Sequence, residues 1–417
     1  MCRQAHSSSS VPCALHPSSR NAFLGGFIGA IFSLPLLAAD LRWDGALYGY
    51  AAHSSLRADS VLNPANLIAR LPQNSSTAEA RFNFKAEGEG LRLTARPILL
   101  AQDDRNSFGS QRQTDAYLSQ WQLRWRASEA WSLAAGREVL NWGPAQFRSP
   151  SSPFYFDNGR SNPMRELSGV DALKASWTPN METTLSLARI TGSGHVVQDS
   201  WRDSWLLKAD QRGDDWAAGL ALVHTPGQGA FTGLHGQFTA SDALMLYGEA
   251  SSSTRASALQ SPADAALPFS IAQRSFRRTT ALLGSAYTFE NGQSLNAEYL
   301  HDGHGYSAVE QSTYFTRAAA SPMSAGLSLG YAPSLLGRDY LHLVWQSNLM
   351  ESGGYWRTMA THGFTDGGNE LSGYVEHAIS GRVTVFALGV LPVGTARQES
   401  SSLFRHSVTA GLKIALH

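Results

Sequence analysis

From residue 40 to the carboxyl terminus, apolar and polar side chains alternate in segment after segment, and no apolar run there approaches the length of a membrane-spanning helix. Ala80, Phe82, Phe84 and Ala86 alternate with Arg81, Asn83, Lys85 and Glu87; after a turn, Leu91, Leu93 and Ala95 alternate with Arg92, Thr94 and Arg96. Further copies are Trp121-Leu123-Trp125, Leu173-Ala175-Trp177, Trp205-Leu207-Ala209, Trp216-Ala218-Leu220-Leu222, Leu244-Leu246-Gly248-Ala250, Leu295-Ala297-Tyr299, Leu341-Leu343-Trp345 and Val383-Val385-Ala387-Gly389. A period of two gives a strand one apolar and one polar face. A soluble antiparallel sandwich alternates as well. Repetition separates the two, because a sandwich rarely sustains the pattern over such a length without a domain break, whereas every strand of a membrane barrel crosses the same slab. Within lipid only helices and closed barrels satisfy the backbone. The reading is therefore an all-β chain, a transmembrane antiparallel β-barrel occupying residues 40–417 as one domain.

The links between these segments differ in length. Those at 88–90, 127–130 and 290–292 are short, and those at 52–78, 142–169, 252–276 and 302–323 are long, as expected of periplasmic turns and external loops. Trp43, Trp125, Trp131, Trp177, Trp216, Tyr299 and Trp345 stand near strand ends, where aromatic girdles form. Alternation alone yields nineteen candidate strands, but bacterial single-chain barrels have an even number. The zone 252–331 is where a strand is split or missed, so the expectation is eighteen, with sixteen as the fallback. The final strand, Val408-Ala410-Leu412-Ile414-Leu416, resembles the carboxyl-terminal recognition strand of bacterial outer-membrane proteins, although it ends in Leu416-His417 where those usually end in Phe.

Ahead of residue 40, Arg3 and Arg20 precede the apolar stretch AFLGGFIGAIFSLPLLAA, which ends in small residues. That is the pattern of a secretory signal peptide, residues 1–39, with cleavage near Ala39. Cleavage would remove Cys2 and Cys13, the only cysteines, and with them any disulfide framework, thiolate nucleophile or thiolate metal site. The 33 basic and 33 acidic residues of the whole chain balance, which excludes a basic nucleic-acid binder and an acidic disordered tail.

One segment breaks the alternation. From Gly136 the chain reads GREVLNWGPAQFRSPSSPFYFDNGRSNPMRE, and no lipid-spanning strand continues through Pro144, Pro150, Pro153 and Pro163. A link this long, stiffened by prolines, is expected to order and to fold into the lumen. There Arg137, Arg148, Arg160 and Arg165, with Asp157 and Glu166, would line a constriction, while Trp142, Tyr155 and Phe156 would offer flat surfaces to a sugar or aromatic solute. The alternative is that the arginines pair with acids and only hold the link. With Asp157, Glu166 and Asp171 as the acids nearby in sequence, the four arginines would leave an excess positive field. Lysine is confined to Lys85, Lys174, Lys208 and Lys413, so most positive charge is arginine, which stays charged in confined space.

The Gly-Arg-x-x-x-x-Trp-Gly run at 136–143, followed by a Pro- and Asn-containing loop, resembles a pattern in several bacterial outer-membrane barrel families, including porin-like ones and the capsule-assembly barrels. In the latter the stretch is closer to Trp-Gly-Pro-Gly, from which Ala145 departs. The resemblance implies passage of solutes or handling of surface polysaccharide. No GxSxG, HExxH or phosphate-binding loop occurs in a credible context, and His301-Asp302-Gly303-His304 reads as a loop and not a zinc site. No enzyme, cofactor or metal is expected. The sequence thus points to the bacterial outer membrane and to a channel for passive diffusion of small polar or anionic solutes, ahead of a barrel for polysaccharide export, assembly or binding. Its expected partners are outer-membrane lipids and lipopolysaccharide, the barrel-assembly machinery, and a polar solute or glycan.

Overall fold

The computed structural model describes residues 40–416, apart from 193, 195–200, 228, 255–256, 265–269, 274–276 and 349–352. The expected signal peptide and its cleavage site lie outside the described residues. The strands are β1 (Asp40–Leu56), β2 (Asn74–Gly88), β3 (Leu91–Asn106), β4 (Gly109–Arg126), β5 (Trp131–Glu138), β6 (Val170–Trp177), β7 (Thr183–Gly192), β8 (Trp205–Arg212), β9 (Trp216–Thr225), β10 (Gly229–Thr239), β11 (Leu244–Ser253), β12 (Ser257–Gln260), β13 (Ser270–Gln273), β14 (Arg278–Thr288), β15 (Ser294–Asp302), β16 (Asp339–Gln346), β17 (Gly354–Gly363), β18 (Asn369–Ala378), β19 (Val383–Val393) and β20 (Phe404–Leu416). All but β12 and β13 form one sheet of eighteen strands, each antiparallel to its neighbours in sequence. Pairing of β1 with β20, from Gly45↔Leu416 through Ser54↔Ser407, closes it into a barrel and leaves no edge. Eighteen is the expected count.

The zone of miscounting resolves into structure outside the wall. β12 and β13 pair only with each other, inside the link between β11 and β14. The link after β15 contains two helices, α1 (Ala308–Ala318) and α2 (Pro322–Gly330), which the alternation did not suggest. α1 begins at Ser307 with a capping box: the Ser307 side chain accepts the Glu310 amide, and the Glu310 carboxylate accepts the Ser307 amide at 2.8 Å.

The short links 88–90, 127–130 and 290–292 fall at one end of the barrel together with Asp40 and Leu416, and the four long ones fall at the other. Outward residues form an apolar band, with Leu133, Leu173, Leu207, Leu246 and Leu371 all exposed. Six of the seven expected girdle aromatics, all but Tyr299, sit near the short-turn end and are exposed as lipid-facing residues should be.

At the long-link end the loops build a small core of their own. Leu62, Leu259, Tyr306, Tyr314, Phe315 and Leu336 pack together, joining the links that follow β1, β11 and β15. Beneath them Glu399, from the link after β19, accepts the amides of Leu336 (2.9 Å) and Gly337 (3.3 Å) and the hydroxyl of Tyr340, while its own amide donates to Asp366 at 2.7 Å. Burial raises the Glu399 carboxyl to about 7, against the opposing hydrogen bonds and with help from the Asp366 charge. A carboxyl raised this way contributes stability that is complete below its ordinary value near 4.5 and is lost as pH rises through about 7. Intrinsic-rate-corrected hydrogen exchange at Leu336 and Gly337 should therefore accelerate between pH 5.5 and 8.5, and Glu399→Gln should flatten that dependence. Equal protection at both pH values in the native chain would contradict the assignment.

Candidate functional site

The chain leaves the wall at Glu138, four residues before Trp142, and returns at Val170. Between them it folds inward, because its partners lie halfway along strands on other parts of the ring. Its first part packs Leu140, Phe154 and Tyr155 against Val170, Ala172, Ala188, Ile190, Leu206 and Val223, the lumen-side residues of β6 to β9. Its tip, Ala145 and Phe147, enters a second core with Tyr247, Leu282, Leu300 and Tyr340 on β11 to β16. Its last part reaches β2, where Arg81 Nη2 donates to the Met164 carbonyl at 2.9 Å and Arg81 Nη1 lies 3.5 Å from Glu166.

An irregular segment taken out of water needs a partner for each backbone donor. Prolines at 144, 150 and 153 remove three donors. The Ala145 amide donates to Glu249 Oε1 (2.9 Å), and those of Gln146 and Phe147 donate to the two oxygens of Glu298 (2.6 and 2.7 Å). Ser149 donates its amide to the Phe156 carbonyl and its hydroxyl to Glu249 Oε2 at 2.6 Å; the Ser151 amide and hydroxyl reach the same oxygen at 3.1 and 2.7 Å. Glu298 also accepts the Tyr247 hydroxyl at 2.7 Å. Both carboxylates are nearly inaccessible, Glu249 at 3% and Glu298 at 1%, so only this dense set of donors offsets their desolvation.

The glycines of the sequence motif now have reasons. Gly136 has φ +145°, and a Cβ there would collide with the Trp121 carbonyl of β4; Gly143 has φ +88°, and a Cβ would lie 2.6 Å from the Glu249 carboxyl carbon. Trp142 donates Nε1–H to the Ser151 carbonyl at 2.9 Å and meets Phe154 edge-on at 6.2 Å, fastening the turn.

The structure redistributes the expected lining residues. Arg137 belongs to the wall: its guanidinium is paired with Asp171 on the neighbouring strand at 2.8 Å and donates to the Leu118 carbonyl. Arg160 braces the turn, donating to the carbonyls of Ala145 (2.6 Å) and Gly143 (3.1 Å). Tyr155 is 5% exposed and donates to the Ser168 carbonyl at 2.6 Å; burial pushes its hydroxyl pKa up, so it stays a donor. Trp142 and Phe156 pack against the cores but are only partly buried, so of the three aromatics Tyr155 alone is closed off. Arg148 lies over the Phe147 ring at 4.5 Å, and that ring stacks on His342 at 4.8 Å. Arg148, at 3.9 Å, and Arg165 share Asp157, and among the four arginines Arg165 alone is exposed.

The expected excess of positive charge needs correction. It counted only acids close in sequence, and Glu249 and Glu298, about 100 and 150 positions from the segment, bring two more carboxylates to it from the wall. They carried no local signal, since a lone glutamate inside an alternating strand reads as an ordinary lumen residue.

Among the described residues no group of three or more histidines, cysteines or acids is placed to hold a metal ion. No family model and no curated protein matches the chain in sequence. The chain is similar in structure to three solved barrels. Pseudomonas aeruginosa OccK11 (OpdR) shares 14% identity at TM-score 0.55 over 90% of this chain and 96% of that one. Acinetobacter baumannii OccAB1 shares 11% at 0.56 over 90% and 96%. Pseudomonas aeruginosa OccK5 (OpdH) shares 8% at 0.54 over 90% and 98%. The likeness is one of fold, a closed antiparallel porin-like β-barrel.

Replacing Glu249 with Ala would leave four donors of the segment without their acceptor, at about 1–3 kcal/mol for each buried group left unsatisfied. The variant should keep the barrel, seen as a heat-modifiable band on unheated gels, while protease cleavage within 144–153 rises by tenfold or more, the factor equivalent to about 1.4 kcal/mol. Unchanged cleavage would show that the carboxylate does not hold the segment.

Proposed function

We propose that this chain is an outer-membrane channel for passive diffusion of small polar solutes, narrowed by the segment between β5 and β6. The observation that carries the proposal is the placement of that segment. It is fixed at mid-height against β6 to β16, and the half-exposed lumen wall runs from β17 through β20 and β1 to β3. A segment pinned at mid-height restricts a lumen without needing to move. Its accessible charges are Arg165 and, in part, Glu166 and Asp157, the last paired with Arg165, so the field along the passage is mixed and not strongly anion-attracting. Polar solutes fit that wall better than a purely anionic class does. The similarity in fold to the three Occ barrels supports a channel architecture and leaves solute choice to this chain's own residues.

The test is reconstitution into planar bilayers. A unit charge roughly 5 Å from a passing ion contributes about 0.8 kcal/mol in water-like surroundings, a factor of about four in relative permeability. Arg165→Ala should shift the reversal potential towards cation preference by up to that factor, and Asp157→Asn should shift it the opposite way. Absence of unitary conductance from folded protein would overturn the channel reading, and two variants with native reversal potentials would remove the segment from the conducting path.

A further inference from the structure

The half-exposed wall carries an arrangement that holding the segment does not require. Tyr355 on β17 pairs in register with Glu376, Glu376 with Phe386, Phe386 with Gly411, and Gly411 with Tyr50 on β1. These residues form one row across five adjacent strands, on the lumen face, since the outward positions of the same strands are Leu371, Val375, Leu391, Val408 and Leu412. Tyr374 and Phe386, each 5% exposed, stack with ring centroids 6.4 Å apart and planes at 25° as a buried base, while the partly buried Tyr50 meets Phe386 edge-on at 6.2 Å and the partly buried Tyr355 lies 6.2 Å from Tyr374. Gly411 makes the row possible: a Cβ there would lie 2.8 Å from Phe386 Cζ and collide with Tyr50. Strands about 4.8 Å apart, tilted by about 40°, carry such a row obliquely through roughly 12 Å of lumen depth.

The segment touches this cradle lightly. Its backbone is held elsewhere, by Glu249, Glu298 and Arg81, and at the row it contributes the side chain of Met164. The tyrosine hydroxyls are bonded to the wall itself, Tyr374 to Glu376 Oε2 at 2.7 Å and Tyr355 to Gln346 Oε1 at 3.0 Å. The charges beside it are of both signs: Arg81 is paired with Glu79 at 2.9 Å, its guanidinium and the Lys413 ammonium lie 4.3 and 5.9 Å from the Tyr48 ring, and Arg357 and Glu376 stand in register with Tyr374 and Tyr355. The partly exposed rings of Tyr50 and Tyr355, with Tyr374 and Phe386 buried between them beneath Met164 and polar groups of both kinds at the margin, suit a ligand that has an apolar face and many hydroxyls. They suit an anion poorly, because no field of one sign is built there.

We infer that the aromatic cradle running from Tyr355 to Tyr50 is a saccharide-binding subsite on the conducting wall, with the pliant side chain of Met164 as its movable cover. This names the solute class of the proposed channel, and it rests on that reading for access but not for binding. Two measurements on the full-length barrel in detergent test it. Calorimetry would use maltohexaose, cellohexaose and chitohexaose, with benzoate as the aromatic anion. Nitration of tyrosines in the unaltered protein would be read by mass spectrometry with and without the same sugars. The expected result is saturable binding of at least one oligosaccharide, protection of Tyr50 and Tyr355 from nitration, and binding weakened about threefold to tenfold by Tyr50→Ala or Tyr355→Ala but not by the Phe variants. Binding of benzoate alone, or no binding and no protection with any of the three sugars, would overturn the subsite. Should the Ala variants not fold, protection in the unaltered protein decides. Sugar binding without bilayer conductance would overturn the channel and keep the subsite, whereas conductance without sugar binding would do the reverse.

Discussion

Backbone hydrogen bonding inside a closed wall is the constraint on which this structure depends. The strands meet it through the sheet, but thirty-one residues between β5 and β6 leave the sheet and enter the lumen. Two wall carboxylates solve the problem for the tip. Glu249 and Glu298 together accept four amides of the segment, at positions 145, 146, 147 and 151, and the prolines around those positions reduce the number of donors to be matched. A carboxyl group offers two oxygens and several lone pairs at once, which is why one side chain can fix a whole turn. Gly143 follows from the same requirement, since the carboxylate occupies the place its side chain would take.

Once the segment is fixed, the character of the lumen follows. The wall it covers becomes apolar on its inner face, with Val170, Ala172, Ile190, Leu206 and Val223 packed beneath Leu140, Phe154 and Tyr155. The wall it leaves half-exposed keeps tyrosines and paired charges. The inner surface is therefore divided into a part that supports the segment and a more accessible part, and β17 to β3 carry the second.

Period-two alternation made the barrel legible, because the demand for an apolar outer face acts on every strand and repeats. It does not disclose how the inner faces of different strands meet. In β19 the alternation Val383-Val385-Ala387-Gly389 marks the outward face, but the aromatic row through Phe386 depends on the register with β18 and β20, which no single strand carries. The inward segment was legible from its cluster of prolines, since a wall strand takes one singly, as β3 takes Pro97 at a register shift. The roles within it were not. Whether an arginine stays exposed, as Arg165 does, or braces carbonyls, as Arg160 does, depends on what it meets in the folded chain and not on its neighbours in sequence. The helices of the external cap escaped for another reason: a search for period two passes over the capping box at Ser307 and Glu310, which carries the signal.

Whether the inward segment borders the proposed conducting path can be measured at one atom, because the chain has no cysteine beyond residue 13. Met164→Cys, reconstituted as a single channel and exposed to methanethiosulfonate reagents of increasing size, should show one downward step in unitary conductance per modification, deeper for the larger reagents. Complete modification, verified by mass, with conductance unchanged would contradict the account.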